Sequence, residues 1–315
     1  MSLGEDYIEY PRRRRGMDHD LYAWSNLFER PPVDWGKGRK LAVLIVAALE
    51  YFPMQPNEGP FRAPGHMVTP YPDLRHYTAR EYGTRVGFFR FLKVFESLGI
   101  KASVPMNAAI AERYPFIVEQ VISGGHEIIG HSMTMNDIQF GGMGRQAEAD
   151  LIGQSVAVLQ RVSGQKIRGW RSIAGSESEN TLPLLVDAGI DFVCDWVNDD
   201  LPYRIKTDRG AITSLPLNHE LSDRQMIAVC QNSEEQLVEQ ISDQADLLVT
   251  EAEKYGGRMF AFSLTPYIMG LPYRIKALEQ ALSYVVGQDG AWSARASDIV
   301  DAWTAAQAGE PEQPV

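Results

Sequence analysis

Cysteine is nearly absent. Cys194 and Cys230 are the two thiols in 315 residues, too few for a disulfide framework, and they read as buried thiols of a reducing compartment. No run of 18 apolar residues occurs, which excludes a membrane-spanning helix. The opening stretch, MSLGEDYIEYPRRRR, is acidic and then basic. It lacks the apolar centre of a secretory signal, so a cytoplasmic location is expected. Positive charge is in short supply: 30 Lys and Arg against 41 Asp and Glu leave a net charge of −11. Nucleic acid and anionic membrane surfaces both need a basic face, and neither is expected as a partner. A sequence repeat of fixed period is also missing.

What is present is ordinary globular material. Hydrophobic residues make up 44% and charged residues 23%, enough to fill a large single core. Residues 1–38 carry no clear period. They hold a basic run, Arg12 to Arg15, and then Tyr22, Trp24, Phe28 and Trp35, which reads as an arm packed on the body and bridging subunits of a homo-oligomer. Residues 39–308 read as one domain, and the acidic, Pro-rich 309–315 as a flexible tail.

The domain opens with KLAVLIVAAL at 40–49, apolar on both faces as a strand buried in a parallel sheet should be. A Pro- and Gly-rich loop over 51–79 follows, carrying His66 and His76. Helical and strand patterns then alternate. Helices are predicted over 145–163, 181–188, 234–255, 273–286 and 297–306, and strands over 101–106, 126–130, 167–171, 191–196, 212–217 and 259–264. About seven strand–helix repeats imply a parallel sheet with helices outside it, and closing that sheet gives a (β/α) barrel.

In such barrels the C-terminal strand ends build the active site. Those ends carry Glu50, Asn107, His131, Arg171, the DWVNDD run from Asp195 to Asp200, then Asn218, His219 and Glu220, and finally Thr265. Polar groups at so many corresponding ends favour a site over isolated structural contacts.

At these ends the motifs resemble a known family. HEIIGHSMTM is similar to the second motif of the polysaccharide deacetylase (NodB-homology, carbohydrate esterase family 4) superfamily. GWRS resembles its Arg-containing motif, Asp195-Trp196 its fourth, and SLTPYIMGLPYRIKALEQAL its last. EYGTRVG, DWVNDDLPYR and GLPYR resemble the allantoinase-like branch. The resemblance covers about residues 30–305. It implies a distorted (β/α) barrel and hydrolysis of a non-peptide C–N bond. In metal-dependent members a carboxylate and two His hold a divalent metal, usually Zn, and a late His protonates the leaving nitrogen.

This chain departs from that pattern. Met135 replaces the second motif His, Glu50 stands where Asp-Asp is usual, and Thr265 replaces the late His. Glu50 and His131 alone are fewer ligands than catalytic Zn normally uses. No cofactor is therefore expected, with a divalent metal such as Zn on Glu50 and His131 as the alternative. The expected activity is hydrolysis of a small amide, cyclic amide or ureide. Glu50 is read as base or water-positioner, His131 as polar anchor and acid or base, Arg171 as orienting group, and His219 as the replacement acid. Trp196, Asn198, Asp199, Asp200, Glu220 and Thr265 are read as substrate-binding. The alternatives are a polysaccharide or peptidoglycan N-deacetylase and a degenerate member that binds a small molecule without turnover.

Overall fold

A computed structural model describes residues 17–54 and 74–307. Residues Arg12 to Arg15, His66 and the 309–315 tail lie outside them. The elements in order are β1 (Leu41–Ala47), α1 (Leu74–Tyr82), a π-helical turn (Gly83–Gly87), α2 (Phe88–Leu98), β2 (Ser103–Met106), α3 (Ala108–Arg113), α4 (Pro115–Ser123), β3 (Glu127–Gly130), α5 (Arg145–Ser163), β4 (Gly169–Trp170), α6 (Thr181–Asp187), β5 (Phe192–Val193), β6 (Tyr203–Thr207), β7 (Gly210–Ser214), α7 (Glu234–Tyr255), β8 (Arg258–Leu264), α8 (Pro266–Met269), α9 (Ile275–Val286), β9 (Ala291–Ala294) and α10 (Ala296–Gln307).

The strands form one sheet in the order β6-β7-β5-β4-β3-β2-β1-β8, with β9 also on β1. Every pair is parallel except the β6–β7 hairpin. The expectation of a distorted (β/α) barrel holds, as a half-barrel whose edge strands are β6 and β8. The described strands number nine rather than about seven. The distortion is visible at β1. Its first four residues pair with β9, whereas its pairing with β2 is reached only at Val46.

Alternation along β1 sorts the core into two layers. Leu41, Val43 and Ile45 point outward to Phe88, Phe91, Phe95, Leu278 and Leu282, while Ala42, Leu44 and Val46 point inward with Phe192, Met259 and Ala261. Each fully buried large apolar side chain stabilises the fold by about 1.5–3 kcal/mol. α5 and α7 end where the sequence signals stop them. Gly164 closes α5 in the left-handed conformation, and a reciprocal Ser233–Gln236 capping box opens α7.

Residues 21–35 run from one edge of the sheet towards the other. The Leu21 carbonyl accepts from the Lys206 N–H of β6. Farther along, the Val33 carbonyl accepts from the Gly257 N–H, and the Trp35 indole donates to the Arg258 carbonyl of β8. Between them Arg30 pairs with Asp199 at 2.6 Å.

Two readings of the sequence need correcting. The stretch expected to be loop up to residue 79 is helical from Leu74, so His76 lies buried on α1. Cys194 is buried, but Cys230 is exposed, because the π-helical turn Arg224–Val229 ends at the surface.

Candidate active site

Glu50 follows β1 directly. Its carboxylate receives the Arg224 guanidinium on both oxygens, at 2.7 and 2.9 Å, and the Tyr267 hydroxyl on Oε2 at 3.0 Å. Only 6% of the Glu50 side chain is exposed. Burial alone would raise its pKa, but the charge of Arg224, with the hydrogen bonds from Arg224 and Tyr267, outweighs burial and holds it below the usual carboxylate range. Glu50 is therefore ionised at neutral pH.

His131 follows β3. Its Nδ1–H donates to the Arg171 carbonyl at 2.6 Å, which leaves Nε2 as the nitrogen with the lone pair. That Nε2 is buried and has no hydrogen-bond partner. Burial pushes the imidazole down to about 4, against the pull of Glu50. The ring is neutral at pH 7, with an open lone pair beside an anion. The turn after it is strained, because Ser132 sits at φ 62°. The Ser132 hydroxyl donates to the Asp137 carbonyl, and the Ser132 carbonyl accepts from Ala108.

Asn107, after β2, ties these two strand ends together. Its Oδ1 accepts the Tyr51 N–H at 2.7 Å, and its amide donates to the His131 carbonyl. Arg171, after β4, donates to the Ser263 hydroxyl at 2.8 Å and feels the charges of both Glu50 and Asp195. Thr265 is buried after β8, and its N–H donates to Asp223 Oδ2 at 2.6 Å. Burial lifts the Asp223 carboxyl to about 7, despite that bond and the nearby Arg224.

Tyr267 reaches Glu50 because two glycines let backbone meet backbone. A Cβ on Gly87 would lie 2.2 Å from the Pro266 carbonyl oxygen, and one on Gly270 would lie 2.4 Å from the Gly87 Cα. The Pro266–Met269 turn therefore sits directly on the π-helical turn. Next to Arg224 and Tyr267 lies a cavity of about 730 Å³, also lined by Arg75, Arg80, Tyr82 and Arg274.

The fold thus brings Glu50, His131 and Arg171 together, while the other residues read from the sequence have separate surroundings. Trp196 donates its indole N–H to Glu177 at 3.3 Å. Asn198 bonds to the hydroxyls of Tyr22 and Tyr203. Asp199 is held by Arg30, and burial raises the Asp200 carboxyl. These last three share a cavity of about 260 Å³ with Glu220. His219 is exposed, and its side chain makes no hydrogen bond to Glu50, His131 or Arg171. Sequence reading missed Arg224 and Tyr267. The signals were an arginine in LSDRQM, just after His219 and Glu220, and the tyrosine of SLTPY, two residues after Thr265.

The donor set does not suit a metal. Both Glu50 oxygens are taken by Arg224 and Tyr267, and two guanidinium groups repel a cation there. Met135 offers only a soft thioether. The Asp137 carboxylate is engaged by the Thr134 N–H and hydroxyl. Among the described residues no three His, Cys, Asp or Glu converge as a ligand group.

Residues 81–193 match the polysaccharide deacetylase family. A Schizosaccharomyces pombe protein provisionally named a polysaccharide deacetylase is 26% identical over 244 residues, covering 71% of this chain and 75% of its own. The crystal structure of Puue allantoinase superposes with a TM-score of 0.80 at 23% identity, covering 95% of this chain and 98% of that one. A Pseudomonas aeruginosa PAO1 protein, provisionally named a polysaccharide deacetylase, gives 0.79 at 24% identity, covering 90% and 97%. The two structural likenesses show a shared fold.

Proposed function

We propose that this chain, a member of the polysaccharide deacetylase (NodB-homology) superfamily, hydrolyses a non-peptide C–N bond in a small amide, cyclic amide or ureide. The superfamily is one of hydrolases acting on C–N bonds. The observation that carries the finer reading is the unpartnered Nε2 of His131 beside ionised Glu50. A water on that lone pair can be deprotonated without a metal. As the imidazolium forms, Glu50 stabilises its charge in a site of low dielectric. Glu50 itself is a poor base, because its oxygens are committed to Arg224 and Tyr267. Arg171 and Arg224 bring positive charge to where the carbonyl oxygen becomes an oxyanion.

A ureide or cyclic amide is favoured over a polysaccharide by the adjoining cavity. It is of small-molecule size, and its guanidinium and phenol donors suit a compact ligand rich in carbonyl acceptors. The allantoinase likeness is in keeping with this class. The test is turnover of a panel comprising allantoin, hydantoin, dihydrouracil and an N-acetylglucosamine oligomer, on chelator-treated protein. Hydrolysis of a panel amide or ureide that His131→Ala abolishes supports the proposal. Turnover of the oligomer alone supports an N-deacetylase instead, and binding without turnover supports a degenerate member.

A further inference from the structure

The cavity beside Glu50 gathers four arginines, on a chain whose net charge is −11. α1 supplies Arg75, Thr78, Ala79 and Tyr82, spaced three and four apart, so one face of that helix forms a wall. Arg80 comes from the same helix, Arg224 from the π-helical turn Arg224–Val229, and Arg274 from the position just before α9. Among the described residues no carboxylate lines the cavity. The acids that meet these arginines stand outside the lining. Glu50 receives Arg224 at 2.7 and 2.9 Å, and Glu234 receives the Arg274 Nε at 2.8 Å. Arg274 Nη1 reaches the Ile268 carbonyl at 3.4 Å, which leaves Nη2 for a ligand.

The remaining groups suit an organic anion. The Tyr82 hydroxyl accepts from Arg90, so its own proton is available to donate. Ile227, Ile268 and Leu271 make an apolar side, which fits a carbon skeleton rather than an inorganic ion. Planar guanidinium groups match a carboxylate two bonds at a time. An anion here would also relieve like charge. Burial first, and Arg224 with it, draw the Arg80 pKa down against Tyr267 and Glu50. The cavity adjoins the catalytic pair by shared walls. Arg224 and Tyr267 line it and also hold Glu50, and Arg80 borders both this cavity and the narrow space onto which Glu50 opens.

We propose that this cavity binds a carboxylate of the substrate, so that the amide, cyclic amide or ureide hydrolysed at Glu50 and His131 carries an acidic group of its own. The word substrate rests on the hydrolase reading above, whereas the carboxylate site stands on the arginines alone. Arg75 and Arg274 act as binding residues that select the charged ligand over its neutral counterpart.

Calorimetry with hydantoin-5-acetate, its methyl ester and inorganic phosphate tests the site without requiring turnover. Wild type should bind the acid about 10–100-fold more tightly than the ester. Arg75→Gln and Arg274→Gln should each shrink that ratio, and the double variant should abolish it. The ratio within one variant is its own control, since a misfolded protein loses both ligands. Arg75 is exposed on α1, where a substitution leaves the core untouched. Equal binding of acid and ester, a ratio unchanged in the double variant, phosphate binding as tight as the acid, or binding of neither organic ligand at millimolar concentration overturns the proposal. Turnover separates this result from the hydrolase reading. Dihydroorotate should be preferred over dihydrouracil, and hydantoin-5-acetate over hydantoin, in kcat/KM. Hydrolysis of the neutral members with no preference for the acids overturns the carboxylate site and keeps the hydrolase. A charge preference in binding with no turnover of any member keeps the site and overturns the hydrolase.

Discussion

Arg224 places one guanidinium nitrogen on both oxygens of Glu50, across 174 residues of chain. Such a pair is held by its neighbours as much as by its own attraction, since removing one partner leaves a buried charge without compensation. Arg224→Ala should therefore destabilise the protein by about 3–5 kcal/mol in urea unfolding. Glu50→Leu with Arg224→Met should recover most of that loss. A double variant no more stable than Arg224→Ala would show that the pair is not the source.

The acid side of the stability curve should carry the Glu50 signature. Its folded pKa is depressed, so its contribution is present above the ordinary carboxyl range and is lost as pH falls through the folded value. Melting temperature should fall below about pH 4.5 in wild type and fall less in Glu50→Gln.

Asp223 and Glu177 work in the opposite direction. Their folded pKa values are raised, so folding is favoured while they are protonated and loses that advantage as pH rises through them. Asp223 titrates at about 7. Stability should decline from about pH 5 to 9, and Asp223→Asn should flatten the part of the decline below about pH 7. Glu177→Gln should stabilise the protein by about 0.5–2 kcal/mol at the alkaline end. Denaturant midpoints across that range check both.

Asn107→Ala leaves the Tyr51 N–H and His131 carbonyl without a partner in a fully buried site. The expected cost is about 1–3 kcal/mol of stability, with a kcat loss larger than any change in KM. His219→Ala should leave kcat unchanged, because that side chain is exposed. A large kcat loss in His219→Ala would return it to the mechanism.

How much of this was legible depended on the range of the interaction. α5 and α7 could be read to their ends because caps and helical spacing are local signals. β6 was not found, since its edge position leaves Tyr203–Thr207 with one buried residue, Ile205, among exposed or half-exposed ones. β9, only Ala291–Ala294, was too short to stand out, and α1 has too little apolar character to suggest a helix. Glu50, His131 and Arg171 were found because strand ends in this architecture fall on one face. Arg224 was not, because nothing local tells an arginine that it lies over a strand end 174 residues earlier.

Trp24 and Phe28 are 68% and 78% exposed on the segment that precedes β1. Two such aromatics suit contact with a second copy of the chain. Trp24→Ser with Phe28→Ser should lower the sedimentation coefficient at micromolar concentration. Wild type that already sediments as a monomer would defeat this expectation.

The strap over residues 21–35 also bears on the order of assembly. It is made early in synthesis, yet its anchors are β6 and β8, with Trp35 and Arg258 separated by 223 residues. Contacts of that separation carry a large loop-closure cost and form late. The first part of the described chain to leave the ribosome is thus among the last to find its place. Until it does, the sheet is an open clamp, and its inner apolar layer is exposed to chaperones and to neighbouring chains.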